Sequence, residues 1–325
     1  MWKYLDIDRL PNESSFEWEL RLCKAKLNKD IDLDWQEIVD TLGLDIHYDS
    51  LRKMAYGYQR YDEYLKNNGV ALRILSISDL HIPFQKPIDI YKDYVGKVDV
   101  LQINGDVVDM QSISKFLKVY RLSVMEEIIQ ARQYLIDLIE YIKPKKVVVT
   151  YGNHDIRFQN YLSKNLDTDL LELMPQTVLE LILVDGFNHY DKKSRIKSWY
   201  EPLQKVFTDI EIDYTGNWHC QIGKTIFCHP LAFSSVPLKT AEKAMYFFRN
   251  EGFLFTSLVM AHTHRSGKYE IGNTTIYEQG ACCETKKMNY ADGRLTNSQK
   301  EGFIYICQDE NGEVIKDKTR LVVLN

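Results

Sequence analysis

Five apolar stretches of the sequence end in residues that can bind a metal ion or transfer a proton. These residues are Asp-Leu-His at 79–81, Gly-Asp-Val-Val-Asp at 105–109, Gly-Asn-His-Asp at 152–155, a histidine at 229 and His-Thr-His at 262–264. Carboxylate, amide and imidazole groups suit divalent manganese, iron or zinc. Residues two apart on an extended chain can point the same way, which applies to Asp79 with His81 and to His262 with His264. The ordered series therefore predicts a metal site.

The stretches before these motifs have the composition of buried strands. Residues 72–78, 100–104 and the run starting at Val147 are rich in Val, Ile and Leu, whereas 123–142 places its apolar residues at the helical steps of three and four. Repeated strand–helix–strand units predict a parallel sheet with helices on its faces. Ligands of such sheets bind at the carboxyl ends of the strands, so we expect the motifs to meet there.

The second half of the sequence predicts more antiparallel strand. The pairs Gly223-Lys224 and Gly272-Asn273 each separate two short apolar runs, which is a hairpin signal. Residues 239–250 have a helical pattern, and 302–307 and 314–323 read as closing strands.

Composition and charge restrict the class of protein. The chain has 325 residues, of which 45% are hydrophobic and 27% charged, and its formal net charge is −5. These values are ordinary for a soluble globular protein and disfavour one that coats polyanions. None of the six cysteines forms a Cys-x-x-Cys pair, no run reaches the roughly 18 apolar residues of a membrane span, and the N-terminus lacks an apolar signal core. We therefore expect a cytoplasmic protein without a membrane partner.

Residues 1–70 differ from the rest and predict a small helical domain. Ser14 or Ser15, Asp34 and Ser50 are candidate caps of three helices, ending near Leu27, at Leu42 and near Leu65. A short helix, a glycine turn and a second helix is the outline of a helix-turn-helix, and the third helix carries residues suited to nucleic-acid contacts. Those residues are Arg52, Lys53, Tyr56, Tyr58 and Arg60.

The charge of this region leaves its role open. It holds 10 basic and 14 acidic residues, a net charge of −4, whereas dedicated DNA-binding domains are usually basic. The alternative is a packing or homo-oligomerisation element.

An insertion at about 156–216 interrupts the strand pattern. Its first part, 167–183, predicts a helix broken near Pro175, and its second part mixes basic with aromatic residues. The basic residues are Lys192, Lys193, Arg195, Lys197 and Lys205, among Trp199, Tyr200 and Phe207. Such a segment can hold a phosphate-bearing substrate or a nucleic acid, and the alternative is a solvated surface insertion.

The ordered motifs resemble the signature of the calcineurin-like metallophosphoesterase superfamily, over about residues 72–323. The resemblance implies an α/β (α+β) fold in which a two-layer β-sandwich is covered by helices on both sides, a four-layer αββα arrangement. It also implies a catalytic domain over 71–325 with a dinuclear metal site. The usual Gly before the last His-x-His is Ala261 here, and the usual His-Gly is His229-Pro230.

The resemblance assigns a role to each site residue by motif position. It implies that Asp79, His81 and His264 hold one metal ion, that Asn153, His229 and His262 hold the second, and that Asp106 bridges them. It places His154 near the scissile phosphate, with Asp155 orienting it. Arg157, two residues further on, reaches either a substrate phosphate or an acidic group.

Two divalent ions in such a site explain hydrolysis without a protein nucleophile. Ions roughly 3.5–4 Å apart clamp a phosphate and lower the pKa of a bound water from about 15.7 toward about 7. A cationic His154 then stabilises the phosphoryl charge and protonates the leaving group. Manganese is the first choice of metal, and iron, zinc or nickel also fit these ligands.

The motifs favour a phosphodiester substrate. Protein phosphatases of the superfamily carry an Asp-Arg-Gly signature and Gly-Asn-His-Glu, whereas this sequence has Met110-Gln111 and Asp155. Its Gly-Asn-His-Asp is shared by phosphodiesterases and DNA-repair nucleases, and the domain order is similar to that of phage-encoded phosphoesterases. A nuclease or nucleotide phosphodiesterase is therefore predicted. The alternatives are a phosphomonoesterase and a DNA-binding or scaffold protein with a silent metal site.

Overall fold

The computed structural model describes residues 7–11, 13–66, 69–115, 122–288 and 298–324, with the backbone alone for 62–66. The chain divides into two compact units, Met1–Val70 and Ala71–Asn325. The sequence Asn67-Asn68-Gly69 has the composition of a turn and predicts a domain boundary, and its residues Asn67 and Asn68 lie outside the described residues.

The described residues of the first unit form three helices, α1 (Ser15–Leu27), α2 (Trp35–Leu42) and α3 (Tyr48–Lys66). Ser14 and Asp34 cap the first two with capping boxes, and Gly43 ends α2 in the left-handed conformation, so these predictions are confirmed. The prediction that Ser50 caps the third helix is wrong. That helix begins one turn earlier, because the Asp49 amide donates to Nδ1 of His47 and the Ser50 amide to its carbonyl.

The three helices of the first unit enclose a small apolar core. Leu22 of α1, Ile38 of α2 and Leu51 of α3 are buried against one another. Two of the residues considered for nucleic-acid contact, Arg52 and Lys53, both pair with the carboxylate of Asp49. Their charges are thus partly neutralised within α3.

The second unit contains thirteen strands among its described residues. They are β1 (Leu72–Ile77), β2 (Val100–Asn104), β3 (Lys146–Thr150), β4 (Phe187–Asp191), β5 (Ile196–Tyr200), β6 (Glu211–Tyr214), β7 (His219–Ile222), β8 (Thr225–Cys228), β9 (Ser257–Met260), β10 (Ser266–Ile271), β11 (Thr274–Gln279), β12 (Glu301–Gln308) and β13 (Arg320–Leu324). A first sheet has the order β13-β12-β1-β2-β3-β6 and a second the order β10-β11-β9-β8-β7, while β4 and β5 form a separate hairpin.

The strand directions match the sequence pattern. Neighbours within β1, β2, β3 and β6 are parallel, as the strand–helix–strand repeats predict. In the second sheet β8, β9 and β11 are parallel, and the hairpins predicted at Gly223-Lys224 and Gly272-Asn273 join β7 to β8 and β10 to β11. β6, inside the predicted insertion, extends the first sheet next to β3.

The helices of the second unit vary in length. They are α4 (Val124–Ile142), α5 (Arg157–Asn165), α6 (Thr168–Leu171), α7 (Val178–Glu180), α8 (Leu203–Val206) and α9 (Lys239–Asn250), with 3₁₀ turns at Ile88–Tyr94, Gln111–Ile113 and Thr285–Lys287 and a π turn at Leu181–Asp185. Ser123 caps α4 with a capping box, which confirms the predicted start of this helix.

Successive side chains along a strand point to opposite faces of the sheet, and packing on both faces produces four layers. Ile74 of β1 packs with Phe227 of β8 and Val259 of β9, so the two sheets face each other. Leu75, one residue further, packs instead with Leu135 of α4 on the opposite face of the first sheet. Helix α9 covers the outer face of the second sheet. The αββα sandwich with a small N-terminal helical region is therefore confirmed.

Two predicted elements are shorter than expected. The closing strand predicted at 314–323 begins only at Arg320, because Val314 forms just an isolated bridge with Gln308 and the chain then turns, with Lys318 bonded back to Ile315. The segment 167–183 is broken near Pro175, as predicted, into α6 and α7. None of the helices in the described residues has the length and hydropathy of a membrane-spanning segment.

Substitution of Gly152, compared with that of Gly57, tests how tightly the strand ends pack. A Cβ atom at Gly152 would collide with the carboxylate and amide of Asp106, whereas one at Gly57 in α3 would meet open space. We expect Gly152→Ala to lower the free energy of unfolding by roughly 1–3 kcal/mol, as overpacking does. Gly57→Ala should raise it by roughly 0.5–1 kcal/mol through helix propensity. Calorimetric unfolding measures both, and equal effects would contradict the packing described.

Candidate metal centre

The carboxyl ends of five parallel strands bring the motifs together. The motifs at 79–81, 105–109 and 152–155 follow β1, β2 and β3, which are neighbours in the first sheet. The histidines at 229 and 262–264 follow β8 and β9, which are neighbours in the second sheet. Because the two sheets face each other, both sets of strand ends meet at one edge of the sandwich.

The backbone at this edge turns sharply. Asp79, His81, Asp106, His262 and His264 all have positive φ, between 45° and 80°. Residues other than glycine rarely adopt this conformation, and it concentrates at functional sites. The loops support one another, since the amide of Asp79 donates to the carbonyl of Gly105 and that of His81 to the carbonyl of Asp106, both at 3.0 Å.

A first cluster of possible ligands consists of Asp79, His81 and His264, all buried. Nε2 of His264 lies 3.2 Å from Asp79 Oδ1 and 3.1 Å from Nε2 of His81. Ser78 and the amide of His262 both donate to the other oxygen, Asp79 Oδ2. Oδ1 is thus directed toward the two imidazoles, in an arrangement that can hold one cation.

A second cluster consists of Asp106, His229 and His262. Nε2 of His229 lies 3.2 Å from Asp106 Oδ2 and 3.3 Å from Oδ1 of Asn153, which brings the predicted amide ligand to the same place. Asp106 Oδ2 also lies 3.7 Å from Nε2 of His81 in the first cluster. Asp106 therefore stands between the clusters, and its role as a bridging ligand stays an expectation from the family resemblance.

The donor set fits divalent metal ions. Within the described part of the chain, Asp79 Oδ1 and His262 Nε2 are buried without a hydrogen-bond partner. Buried polar atoms are nearly always paired, so unpaired atoms aimed into a common space indicate an additional ligand. The seven side chains supply only carboxylate, amide and imidazole donors, which suit a borderline or hard divalent cation.

One imidazole is already held in the orientation that binding a metal requires. Nδ1 of His229 lies 2.8 Å from the carbonyl oxygen of Asn104 and donates its proton there, which leaves Nε2 as the metal-binding nitrogen. Asn104 is itself fixed, because its side-chain amide donates to the carbonyl of Cys228 and its oxygen accepts from Thr150.

Electrostatics at the edge favour ionised Asp79 and Asp106 and a mixed set of imidazoles, whereas burial and the nearby Asp106 raise the pKa of Asp155 to about 7. Burial raises the pKa of Asp79, but His264 and His229 outweigh it and bring that pKa to about 2. Burial also acts to lower the pKa of His229, yet Asp106 raises it to about 9. Burial and the nearby His229 lower the pKa of His262 to about 3, so its ring is neutral and has a lone pair for a cation.

His154 lies beside the clusters and is bound by two residues. Its Nδ1 is 2.9 Å from Oδ1 of Asp109 and 3.0 Å from the carbonyl of that residue. Its Nε2 accepts from the guanidinium of Arg157 at 2.9 Å and lies 3.9 Å from Asp106 Oδ2. These contacts place the proton on Nδ1 and direct Nε2 toward the metal ligands.

The role predicted for Asp155 is wrong, and Asp109 takes it. The Asp155 carboxylate is turned away from His154 and accepts four backbone amides, those of Asp106 (2.8 Å), Val107 (3.1 Å), Val108 (3.3 Å) and Gly152 (2.8 Å). Asp109 is the residue that sequence reasoning left without a role. Its spacing, three residues after Asp106 in Gly-Asp-Val-Val-Asp, was the available signal.

Asp109 also supports the first cluster. Its Oδ1 lies 3.3 Å from Nδ1 of His81, in addition to its contact with His154. The imidazoles keep the pKa of Asp109 well below its usual range although burial acts to raise it. A single ionised carboxylate thus orients one predicted metal ligand and the ring beside it.

Solved structures with a similar fold belong to several proteins. An archaeal phosphodiesterase is 15% identical with a TM-score of 0.37 and covers 78% of this chain and 100% of its own. Vacuolar protein sorting 29 from Cryptosporidium parvum is 14% identical with a TM-score of 0.38, covering 79% and 99%. A metallophosphoesterase from Sphaerobacter thermophilus is 14% identical with a TM-score of 0.35, covering 78% and 89%. Likeness of this degree carries no functional argument.

Family membership comes from the sequence. A search of curated proteins finds no significant match to the chain. The sequence model of the calcineurin-like phosphoesterase family, in contrast, matches residues 72–266, which is more than half of the chain and includes every motif described above. The chain belongs to the calcineurin-like phosphoesterase family.

Proposed function

We propose that this protein is a metal-dependent phosphodiesterase that cleaves nucleic acid or a nucleotide diester with a hydroxide activated by two metal ions. The observation that carries the proposal is the pair of ligand clusters with Asp106 between them. Two ions that share one carboxylate suit in-line displacement at phosphorus.

Each of the two clusters would supply the ligands of one metal ion. Asp79, His81 and His264 would hold one ion, and Asn153, His229 and His262 the other, with Asp106 shared. Bound ions would supply an activated hydroxide and neutralise charge on the phosphoryl oxygens. Manganese is our first choice, because the ligands are oxygen and imidazole donors without a thiolate.

His154 and Arg157 would act on the substrate. Nε2 of His154 faces the ligand clusters, and Asp109 holds the ring in place at Nδ1. A histidine that carries a proton on Nε2 at this place can donate it to the leaving oxygen. The Arg157 guanidinium lies 2.9 Å from the same Nε2, so it is placed to meet a phosphoryl oxygen.

Three expectations stay predictions. They are contact of nucleic acid with α3 or with the basic segment 192–205, a homo-oligomer, and a likeness to phage-type phosphoesterases. Within the basic segment, Lys192, Lys193, Arg195 and Lys197 are exposed around the β4–β5 turn.

The reaction class is tested by a substrate panel. Purified protein with Mn²⁺ should hydrolyse bis-p-nitrophenyl phosphate and labelled DNA at least 10-fold faster than p-nitrophenyl phosphate. Asp106→Asn should lower diester turnover by about 10²-fold or more, because it removes the shared ligand. The exposed Asp137→Asn in α4 is the matched control. Monoester turnover without diester or DNA cleavage would contradict the proposal, and no turnover of any substrate would favour a silent site.

Asp109 contacts His154, whereas Asp155 binds backbone amides, and this difference gives a second prediction. Asp109→Asn should lower kcat by roughly 10–100-fold with KM and stability nearly unchanged, as loss of a carboxylate behind a ligand histidine does. Asp155→Asn should instead lower the free energy of unfolding by at least about 2 kcal/mol, because an amide cannot accept all four N–H groups. Steady-state kinetics and urea unfolding separate the two. A stable Asp155→Asn protein with the kinetic defect of Asp109→Asn would restore the role first expected for Asp155.

A further inference from the structure

A cavity of about 420 Å³ lies next to the metal centre, between the loop after β8 and helix α9. Its walls include Trp218, Pro230, Phe233, Lys243 and Phe247. This volume is within the range of roughly 300–1,000 Å³ in which protein pockets enclose small ligands.

The cavity shares its wall with the predicted metal ligands. Pro230 directly follows His229, whose amide donates to the carbonyl of Trp218 at 2.8 Å. The ring of Phe233 packs edge-on against the ring of His262, with centroids 6.0 Å apart and an angle of 81°. A substrate phosphate at the ligand clusters would therefore have its substituent within reach of the cavity.

Arg265 ties the cavity wall to the His262–His264 segment. Its guanidinium donates to the carbonyls of Ser235 (2.8 Å) and Val236 (3.2 Å) and lies 5.8 Å from the centroid of the Phe233 ring. Because Arg265 follows His264 directly, the loop that carries Phe233 is held in a defined position relative to the ligands. The wall is preorganised, as a binding pocket requires.

The chemistry of the walls favours a planar aromatic ligand that carries negative charge. Trp218 and Phe247 lie 5.5 Å apart at 51°, and with Phe233 they offer ring faces and edges on several sides. Aromatic side chains bind nucleobases by stacking. Lys243 is exposed at the rim of the cavity and forms no ion pair with another described residue. Its ammonium group can therefore form an ion pair with a phosphate of the ligand.

We propose that this cavity binds the nucleobase of the substrate while the attached phosphate lies at the metal centre. The proposal rests on the phosphodiesterase function proposed above and assigns this cavity as the binding site for the base of its substrate. Pro230, directly after His229, contributes to the cavity wall.

Calorimetric titration of the full-length protein with Mn²⁺ tests the cavity. Adenosine 5′-monophosphate should bind at least about 10-fold more tightly than ribose 5-phosphate, which has the same phosphate and sugar but no base. Phe247→Ala should reduce this ratio to near one. The neighbouring Tyr246→Ala is the matched control, because Tyr246 and Phe247 are 48% and 45% exposed on the same helix but Tyr246 does not line the cavity.

Several outcomes would overturn the cavity proposal. Equal affinities for the two phosphates, no measurable binding of adenosine 5′-monophosphate, or an unchanged ratio in Phe247→Ala would each do so. Melting curves of both variants establish that they fold. Phe233→Ala provides an independent check on the opposite wall if Phe247→Ala does not fold.

Parallel measurements separate failure of the cavity from failure of the enzyme. Hydrolysis of bis-p-nitrophenyl phosphate with equal phosphate affinities would overturn the cavity alone. Base-dependent binding without diester hydrolysis would overturn the enzymatic proposal and support the cavity. The affinity for a single-stranded hexanucleotide identifies which molecule supplies the base. Binding tighter than that of the mononucleotide indicates a polynucleotide substrate. Equal or weaker binding indicates a free nucleotide as the substrate.

Discussion

The carboxylate of Asp155 is the contact on which the site depends. It accepts amides from the loop after β2 and from Gly152 at the end of β3, and so joins two strand ends that both carry ligands. Gly152 has no Cβ, and only for that reason can Asp106 approach this closely. The Asp106 side chain then accepts the amide of His154 at 2.7 Å. The same hydrogen-bonded backbone therefore positions both Asp106 and His154.

Most of the sandwich, and the meeting of the motif side chains at one edge, could be predicted from sequence, because both follow from local patterns. Alternating burial defines the strands, and the carboxyl ends of parallel strands must share an edge. The exchange between Asp109 and Asp155 could not be predicted. Asp155 follows His154 directly, and Asp109 ends the preceding motif. Which of the two carboxylates faces the His154 ring depends on the left-handed backbone conformations of Asp106 and Met110, which sequence spacing does not reveal. The start of α3 was missed because His47 caps it through a ring nitrogen.

The two halves of the proposed active site differ in character. On the ligand side, buried carboxylates and imidazoles create a strongly polar centre that requires cations for balance. On the cavity side, the aromatic residues Phe233 and Trp218 contact two of the predicted ligands. The ring of Phe233 packs against that of His262, and the carbonyl of Trp218 accepts the amide of His229. A nucleotide combines the matching features, an anionic phosphate and an apolar planar base. The proposed reaction and the proposed binding of the base thus both use one edge of the sandwich.

The metal content of the protein tests the central claim most directly. After loading with Mn²⁺ and removal of free ion, elemental analysis should find two ions per wild-type chain. It should find at most one in Asp106→Asn, because both ions would share that carboxylate. One ion or none in the wild type, or two in Asp106→Asn, would contradict a dinuclear site bridged by Asp106.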